Sequence, residues 1–179
     1  MEEQHSVTTT AVELPDGYSL HSARGLDALQ VRVFHDIGKL RQEVFVVEQE
    51  CAYLDFDGRD AEETTSQYWI EAPEGAVAAT LRVLDESARE AGLLAIGRVA
   101  TAEAHRGKSL AAALMRAVIA DHGDGPLVLE AQSYLTGWYE RFGFAVCGSE
   151  YLEDGIPHTP MRREARGVNA VRREAQQPS

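Results

Sequence analysis

Arg106, Gly107, Lys108 and Ser109 follow an apolar run, Leu94 to Thr101, and open directly into a second run with apolar residues at Leu110, Ala113, Leu114, Ala117 and Val118. That spacing marks one face of an α-helix, and the run before it reads as a buried strand. A strand, a small-residue basic turn and a helix start leave the first helical N–H groups unpaired, with the positive end of the helix dipole at the turn. This arrangement suits an anion such as a phosphate. Arg106 and Lys108 add positive charge, while Gly107 and the short side chains of Ser109 and Ala111 let an anion approach the main chain. Taken alone, the same residues also read as an ordinary strand-turn-helix with a solvated basic turn.

A second group of residues could move protons. Tyr139 lies in the segment Trp138-Tyr139-Glu140-Arg141-Phe142-Gly143-Phe144, on a short helix that reads from Leu135 to Phe142 and is stopped by Gly143. Glu48 ends an earlier helix, Asp57 and Asp60 sit in the acidic loop Asp55 to Glu63, and His158 follows Pro157. Each has a plainer role open to it: an amphipathic core tyrosine, a solvated helix-end carboxylate, a turn at Asp57-Gly58, a structural histidine. Arg98 stays protonated and is no base, but could pair with Glu48 or with a substrate carboxylate. The spacing Asp55, Asp57, Gly58, Asp60 is superficially that of a calcium loop, yet the downstream bidentate glutamate is not in place, so no metal is expected.

The elements that must position these groups fit one domain, since 179 residues hold a sizeable core but not two comfortable ones. Hydrophobic residues at 44% and charged residues at 26% are those of a globular chain. No apolar run approaches the ~20 residues of a membrane span, and no basic, then apolar, leader opens the chain, so a cytoplasmic protein is expected. Cys51 and Cys147 are far apart and read as small apolar fillers with reduced thiols. The net charge of −12 argues against nucleic acid. It is uneven: beyond Met161, five arginines against two glutamates leave +3, so residues 1–161 carry −15. An acidic body attracts an amine, and the loop Asp55 to Glu63 is expected to border the side on which an amine would bind.

Residues 1–20 lack a sustained period and read as a loosely ordered start, 21–166 as the domain, and 167–179 as a polar tail. The alternation Leu29-Gln30-Val31-Arg32-Val33-Phe34 predicts a strand, and Asp36 could cap a following helix with Ile37, Leu40 and Val44 on one face. Tyr68 to Ile70 and Val77 to Leu84 predict a hairpin about Pro73-Glu74-Gly75. Strands are expected at Leu127 to Gln132, Phe144 to Cys147 and Thr159 to Arg163. Hairpins early and alternation of strand and helix later give a mixed α/β class.

The run Val99-Ala100-Thr101 with Arg106-Gly107-Lys108-Ser109-Leu110-Ala111 resembles the acyl-CoA motif, Arg/Gln-x-x-Gly-x-Gly/Ala, of the GNAT N-acetyltransferases. Ser109 stands where that motif usually has its middle glycine. At a positive φ a serine is strained; in helical geometry it is harmless and could donate to the phosphate. Tyr139 to Phe144 resembles the family's Tyr-x-x-x-Gly-Phe pattern. Leu40-Arg41-x-x-Val44 to Gln49, Asp55-x-Asp57-Gly58-x-Asp60, Gly97-Arg98-Val99 and Glu153 to His158 resemble the ElaA branch, in which the middle glycine is not obligatory. The resemblance covers residues 40 to 163.

It implies a single-domain GNAT fold: a mixed central sheet of about six to seven strands, helices on both faces, and strands splayed at the acyl-CoA site. It implies acetyl-CoA as co-substrate, with Arg106, Gly107, Lys108, Ser109, Leu110, Ala111 and Ala112 at the pyrophosphate, Val99, Ala100 and Thr101 pairing with pantetheine, and Gln132 bonding the pantetheine chain. A Val99 N–H would serve the acetyl oxygen, and Tyr139 would face the sulfur as general acid. Glu48 and His158 are the candidate bases, because an amine of pKa near 10.4 is only about 0.04% neutral at neutral pH. The acceptor expected is a primary amine, on a small molecule or at a protein lysine or N-terminus; nucleic acid and membranes are not expected partners, and the chain is expected as monomer or homodimer. The rival reading is a non-catalytic acyl-CoA-binding sensor or interaction protein with the same fold.

Overall fold

The turn Pro73-Glu74-Gly75, with Gly75 at φ 82°, folds Ser66–Glu71 (β2) back on Val77–Asp85 (β3) as the expected antiparallel hairpin. Both strands are rich in β-branched and aromatic residues and are buried along nearly their whole length. The computed structural model describes residues 13–166, and among them eight strands form one sheet. Ser19–Arg24 (β1) pairs with β2 at one margin. Beyond β3 come Leu94–Thr101 (β4), Leu127–Gln132 (β5) and Ile156–Arg163 (β8). The far edge of β8 is shared by two short strands, Ala145–Val146 (β6) and Tyr151–Glu153 (β7). β4 and β5 pair in parallel, and the crossover this requires is the helix Leu110–His122 (α2).

Alternation along β2 assigns the two faces. Tyr68 and Ile70 join the core beneath α2, with Leu110, Leu114, Met115 and Val118. Trp69 points the other way, to Val31–Arg41 (α1) and the turn that continues it, where Ile37 and Leu40 of α1 and Val44 just beyond it pack on it and on Ala100. The face expected for that helix is therefore the one it buries. α1 runs on without a break into a π-helical segment, Gln42–Glu48. Gly38 of α1 lies against Phe56, whose ring an added Cβ would meet at 2.4 Å, so glycine here lets the loop 55–63 close on the helix.

Two expectations are corrected. Leu29 to Phe34 is not a strand: α1 begins at Val31 behind Gln30, and Asp36 lies inside the helix rather than capping it. β-branched residues cost a helix only about half a kcal/mol each, and the burial of Ile37, Leu40 and Val44 overrides that. The mixed sheet expected is present, with eight strands among the described residues, the short β7 pairing with β8 through a tight turn at Asp154 and Gly155, both at positive φ. Residues 1–12 and 167–179 lie outside the described residues, as do most of the expected loose start and the whole expected tail; Ser19 and Leu20 of that start belong to β1.

Candidate active site

Register across β3 and β4 sets the site. Arg82 pairs with Gly97 and Thr80 with Ala100, so Arg98 and Val99 together face Leu81. This is a β-bulge, and Arg98 takes φ 54° in it. On its other side β4 pairs with β5 only from Leu94 to Ile96. From there the strands diverge, and an open cleft of about 1370 Å³ lies along the divergence. Val99, Ala100 and Thr101 line it. Among the described residues, Glu50, Arg98, Ser109 and Asp154 are the non-glycine residues at positive φ, and all but Glu50 line the cleft. Strained backbone of this kind gathers at functional sites.

The turn before α2 lies along the same cleft. Gly107 is at φ 76°, and an added Cβ there meets nothing within 4 Å. Ser109 is the helix N-cap at φ 60° and ψ 22°, with no side-chain cap bond, so it occupies the strained alternative rather than the helical one. Ala113 donates to the Ser109 carbonyl at 3.0 Å, and among the described residues no side chain caps the first-turn N–H groups of Leu110, Ala111 and Ala112. The Leu110 side chain is in the core, so only its main chain can serve an anion. Lys108 is exposed. Arg106 donates to Glu48 Oε2 at 2.5 Å and to the Thr101 carbonyl at 3.3 Å. That hydrogen bond holds the Glu48 carboxyl below its ordinary range, which weakens it as a base in this arrangement. Arg98 does not pair with Glu48 as the sequence had allowed; Arg106 takes that place.

Tyr139 lies on the short helix Thr136–Glu140 (α3), 7% exposed, with its ring edge-on to Trp138 at 4.8 Å and to Phe144 at 6.3 Å. Burial pushes its phenol up to about 12, so the hydroxyl keeps its proton at neutral pH. Gln132, at the end of β5, accepts from Tyr134 Oη at 2.7 Å and donates to Gln49 Oε1 at 3.1 Å. It ties β5 to the end of the π-helical segment instead of standing free along the cleft. His158 sits in register between Gln132 of β5 and Tyr151 of β7. Its Nδ1 lies 2.9 Å from the Ile156 carbonyl, which makes Nδ1 the donor and leaves the neutral ring's lone pair on Nε2. Tyr151 stacks on that ring at 6.0 Å and donates to Glu130 at 3.1 Å. Glu48, Gln132, Tyr139 and His158 thus share one cleft with β4 and the α2 turn. Sequence reasoning missed Gln49, Tyr53, Glu130 and Tyr151 in its wall; only the Asp154-Gly155 dipeptide, a hairpin signal, pointed toward β7 and Tyr151.

The acidic loop is not a free acidic rim. Arg41, fully buried, donates to Asp55 at 2.9 Å and to Asp60 at 2.7 Å. Arg82 donates to Asp57 at 2.8 Å and to Asp60 at 2.9 Å, and Arg98 reaches Asp55 at 2.9 Å. Hydrogen bonds from Arg82 hold Asp57 well below the usual carboxylate range. Burial raises Asp60, but Arg41's hydrogen bond and charge prevail and lower it. Asp57 and Asp60 are therefore structural counter-ions, not bases. Cys51 is buried as expected, whereas Cys147 is exposed and fills no core.

Among the described residues no helix is long and apolar enough to cross a membrane. The acetyltransferase (GNAT) domain family matches residues 36–165. A UPF0039 protein of Mycobacterium tuberculosis is 44% identical over 145 residues, spanning 81% of this chain and 91% of its own. The crystal structure of Escherichia coli ElaA is similar at TM-score 0.75 and 32% identity, covering 82% of this chain and 99% of that one. An acyl-CoA N-acyltransferase from Pseudomonas aeruginosa is similar at TM-score 0.70 and 36% identity, covering 82% and 98%. The splayed mixed sheet, the α2 turn and this similarity along most of the chain agree, and the chain belongs to the GNAT acetyltransferase family as an ElaA-like member.

Proposed function

We propose that the protein is an acetyl-CoA-dependent N-acetyltransferase that acts on a primary amine by direct attack. The observation that carries the reading is the convergence, in one cleft, of a bulged and diverging β4, an uncapped helix start and a buried protonated tyrosine. Acetyl-CoA fits these groups. The N–H groups of the α2 start and the open space at Gly107 suit its pyrophosphate, and the free side of β4 at Val99 to Thr101 suits the amides of pantetheine. It supplies an activated acyl group and a thiolate leaving group.

The chain's own residues supply the rest. Val99 is the second residue of the bulge, and its N–H is the donor for charge building on a carbonyl oxygen. Tyr139 Oη carries the proton for the departing sulfur. His158 Nε2 carries the available lone pair for the amine proton, while Glu48 must first leave Arg106. That same Glu48–Arg106 pair favours the second reading, an acyl-CoA-binding protein without turnover.

The deciding experiment presents pools of amines, small polyamines and lysine peptides included, with acetyl-CoA and follows free thiol. Amine-dependent thiol release is expected. Saturable CoA binding with no release above the amine-free rate, for every pool, overturns the enzyme reading in favour of the second.

A further inference from the structure

Gly97 and Arg98 are adjacent on β4, and the left-handed conformation falls on the wrong one by local cost. Glycine takes a positive φ without steric penalty, whereas an L-residue with a Cβ does not. Yet Arg98 has φ 54°, and Gly97 is not among the positive-φ glycines. Something outside the strand must hold the bulge one residue further along than the sequence alone favours.

We propose that the ionic network of Arg41, Asp55, Asp57, Asp60 and Arg82 is a positioning device for the reaction, locking the β4 bulge at Arg98 and so fixing where Val99 presents its N–H. Arg98 Nε lies 2.9 Å from Asp55 Oδ1, and its Nη2 lies 3.3 Å from the Asp55 carbonyl and 3.4 Å from Asp57 Oδ2. Its guanidinium also covers the Tyr53 ring at 5.0 Å. The two aspartates are themselves fixed: Asp55 by Arg41 Nε at 2.9 Å, and Asp57 by both Arg82 Nη atoms at 2.8 Å. Asp60 joins Arg41 to Arg82 and takes Gln67 Nε2 at 2.8 Å. Arg82 stands directly opposite Gly97 in register. The network thus grips the bulge from α1, from the loop and from β3 at once, with three arginines balanced by three aspartates. Buried ion networks are poor sources of net stability, since apolar replacements do as well, but they specify one geometry against its neighbours. Here the neighbour is a bulge at Gly97, and with the flanking pairs kept such a shift would turn Arg98 to the opposite face and re-aim the main chain that enters Val99.

The inference rests on the acetyltransferase reading, so its test has one arm that needs no turnover. The 13Cα and 13Cβ chemical shifts of residue 98 report its conformation. Left-handed shifts are expected in the wild type and are expected to be lost in Asp57→Asn and in Arg98→Met, the second variant keeping the stem if the first folds poorly. Adding Gly97→Ala to Asp57→Asn should restore them, because alanine disfavours the competing bulge and finds nothing within 4 Å of its Cβ. In the kinetic arm, Asp57→Asn should lower kcat about 10- to 100-fold with KM for acetyl-CoA within about threefold, the pattern of a donor misplaced only for the transition state. The added Gly97→Ala should recover at least a few-fold of that loss. A residue 98 that stays left-handed in both variants overturns the proposal, as does a kcat per folded molecule that does not change. A wild type that turns over no amine removes the acetyltransferase reading, and the shift arm then decides the bulge by itself.

Discussion

Glu48 Oε2 lies 2.5 Å from Arg106 Nη2, joining the end of the π-helical segment to the turn before α2. One candidate base is thereby held by an arginine expected to serve the pyrophosphate. Both partners are about half exposed, so the pair is worth at most about 1 kcal/mol and yields easily to a phosphate. Glu48→Gln should therefore tighten CoA binding by up to about fivefold, the equivalent of that energy. Calorimetry at low salt checks this. Weaker CoA binding in Glu48→Gln would mean that the carboxylate orients Arg106 for the anion rather than competing for it.

Tyr139→Phe keeps the ring and deletes the hydroxyl, so packing against Trp138 and Phe144 and the affinity for CoA should persist while kcat falls. With the phenol at about 12 and an ordinary thiol near 8.5, proton transfer is uphill by about 5 kcal/mol, although burial raises a neighbouring thiol too and narrows the gap. The loss expected is about 10-fold, the low end of general-acid effects. Because Tyr139 stays protonated to about pH 11, its ionisation adds no limb to the wild-type profile below that. Normal turnover by Tyr139→Phe returns the residue to a packing role.

Ser109 at φ 60° carries strain that glycine lacks. Ser109→Gly should stabilise the fold by about 1 kcal/mol, read as a rise in Tm of roughly 2 to 4 °C, with CoA affinity kept. Ser109→Asp, by contrast, puts a carboxylate beside the helix start. It should erase the preference for CoA over pantetheine in calorimetry. A preference that survives would remove the α2 turn as the anion seat.

Asp57 and Asp60 are both held below the ordinary 3.8 in the fold. A carboxyl lowered on folding contributes stability that is complete above its unfolded pKa and is lost as pH falls through the folded value. Thermal unfolding should thus be flat near neutrality and fall below about pH 4. Asp60→Ala removes one of the two carboxylates that each of the buried Arg41 and Arg82 holds, leaving the network with an uncompensated charge, and should cost about 3 to 5 kcal/mol at neutral pH. An Asp60→Ala variant as stable as the wild type would show that water reaches those arginines.

The parts of this site that obey local rules were legible in the sequence. Leu110 to Val118 repeat with helical period, Gly107 and Gly143 punctuate, and β4 is continuous and apolar, so the strand, turn, helix and Tyr139 could be placed in order. What escaped depends on distant partners. Nothing near Arg98 announces a left-handed arginine beside a glycine, because the groups that hold it come from α1, the loop and β3. The loop Asp55 to Glu63 reads as an acidic rim only until Arg41, Arg82 and Arg98 are brought to it. Val31 and Val33 read as strand because β-branching is a local signal, whereas the burial that makes them helical begins at Ile37.

The parting of β4 from β5 places in the middle of a sheet what β-proteins usually confine to its margins: main-chain donors and acceptors with no adjacent strand. Such a gap is a template for any extended segment, whether an elongated thiol ester or the strand of a partly unfolded neighbour. The feature that would let the fold receive an acyl-CoA would thus also open it to self-association. CoA should then act as an anti-aggregation ligand beyond its effect on Tm, with light scattering on heating suppressed more by CoA than by pyrophosphate at equal occupancy, because only the former carries amides to fill the gap.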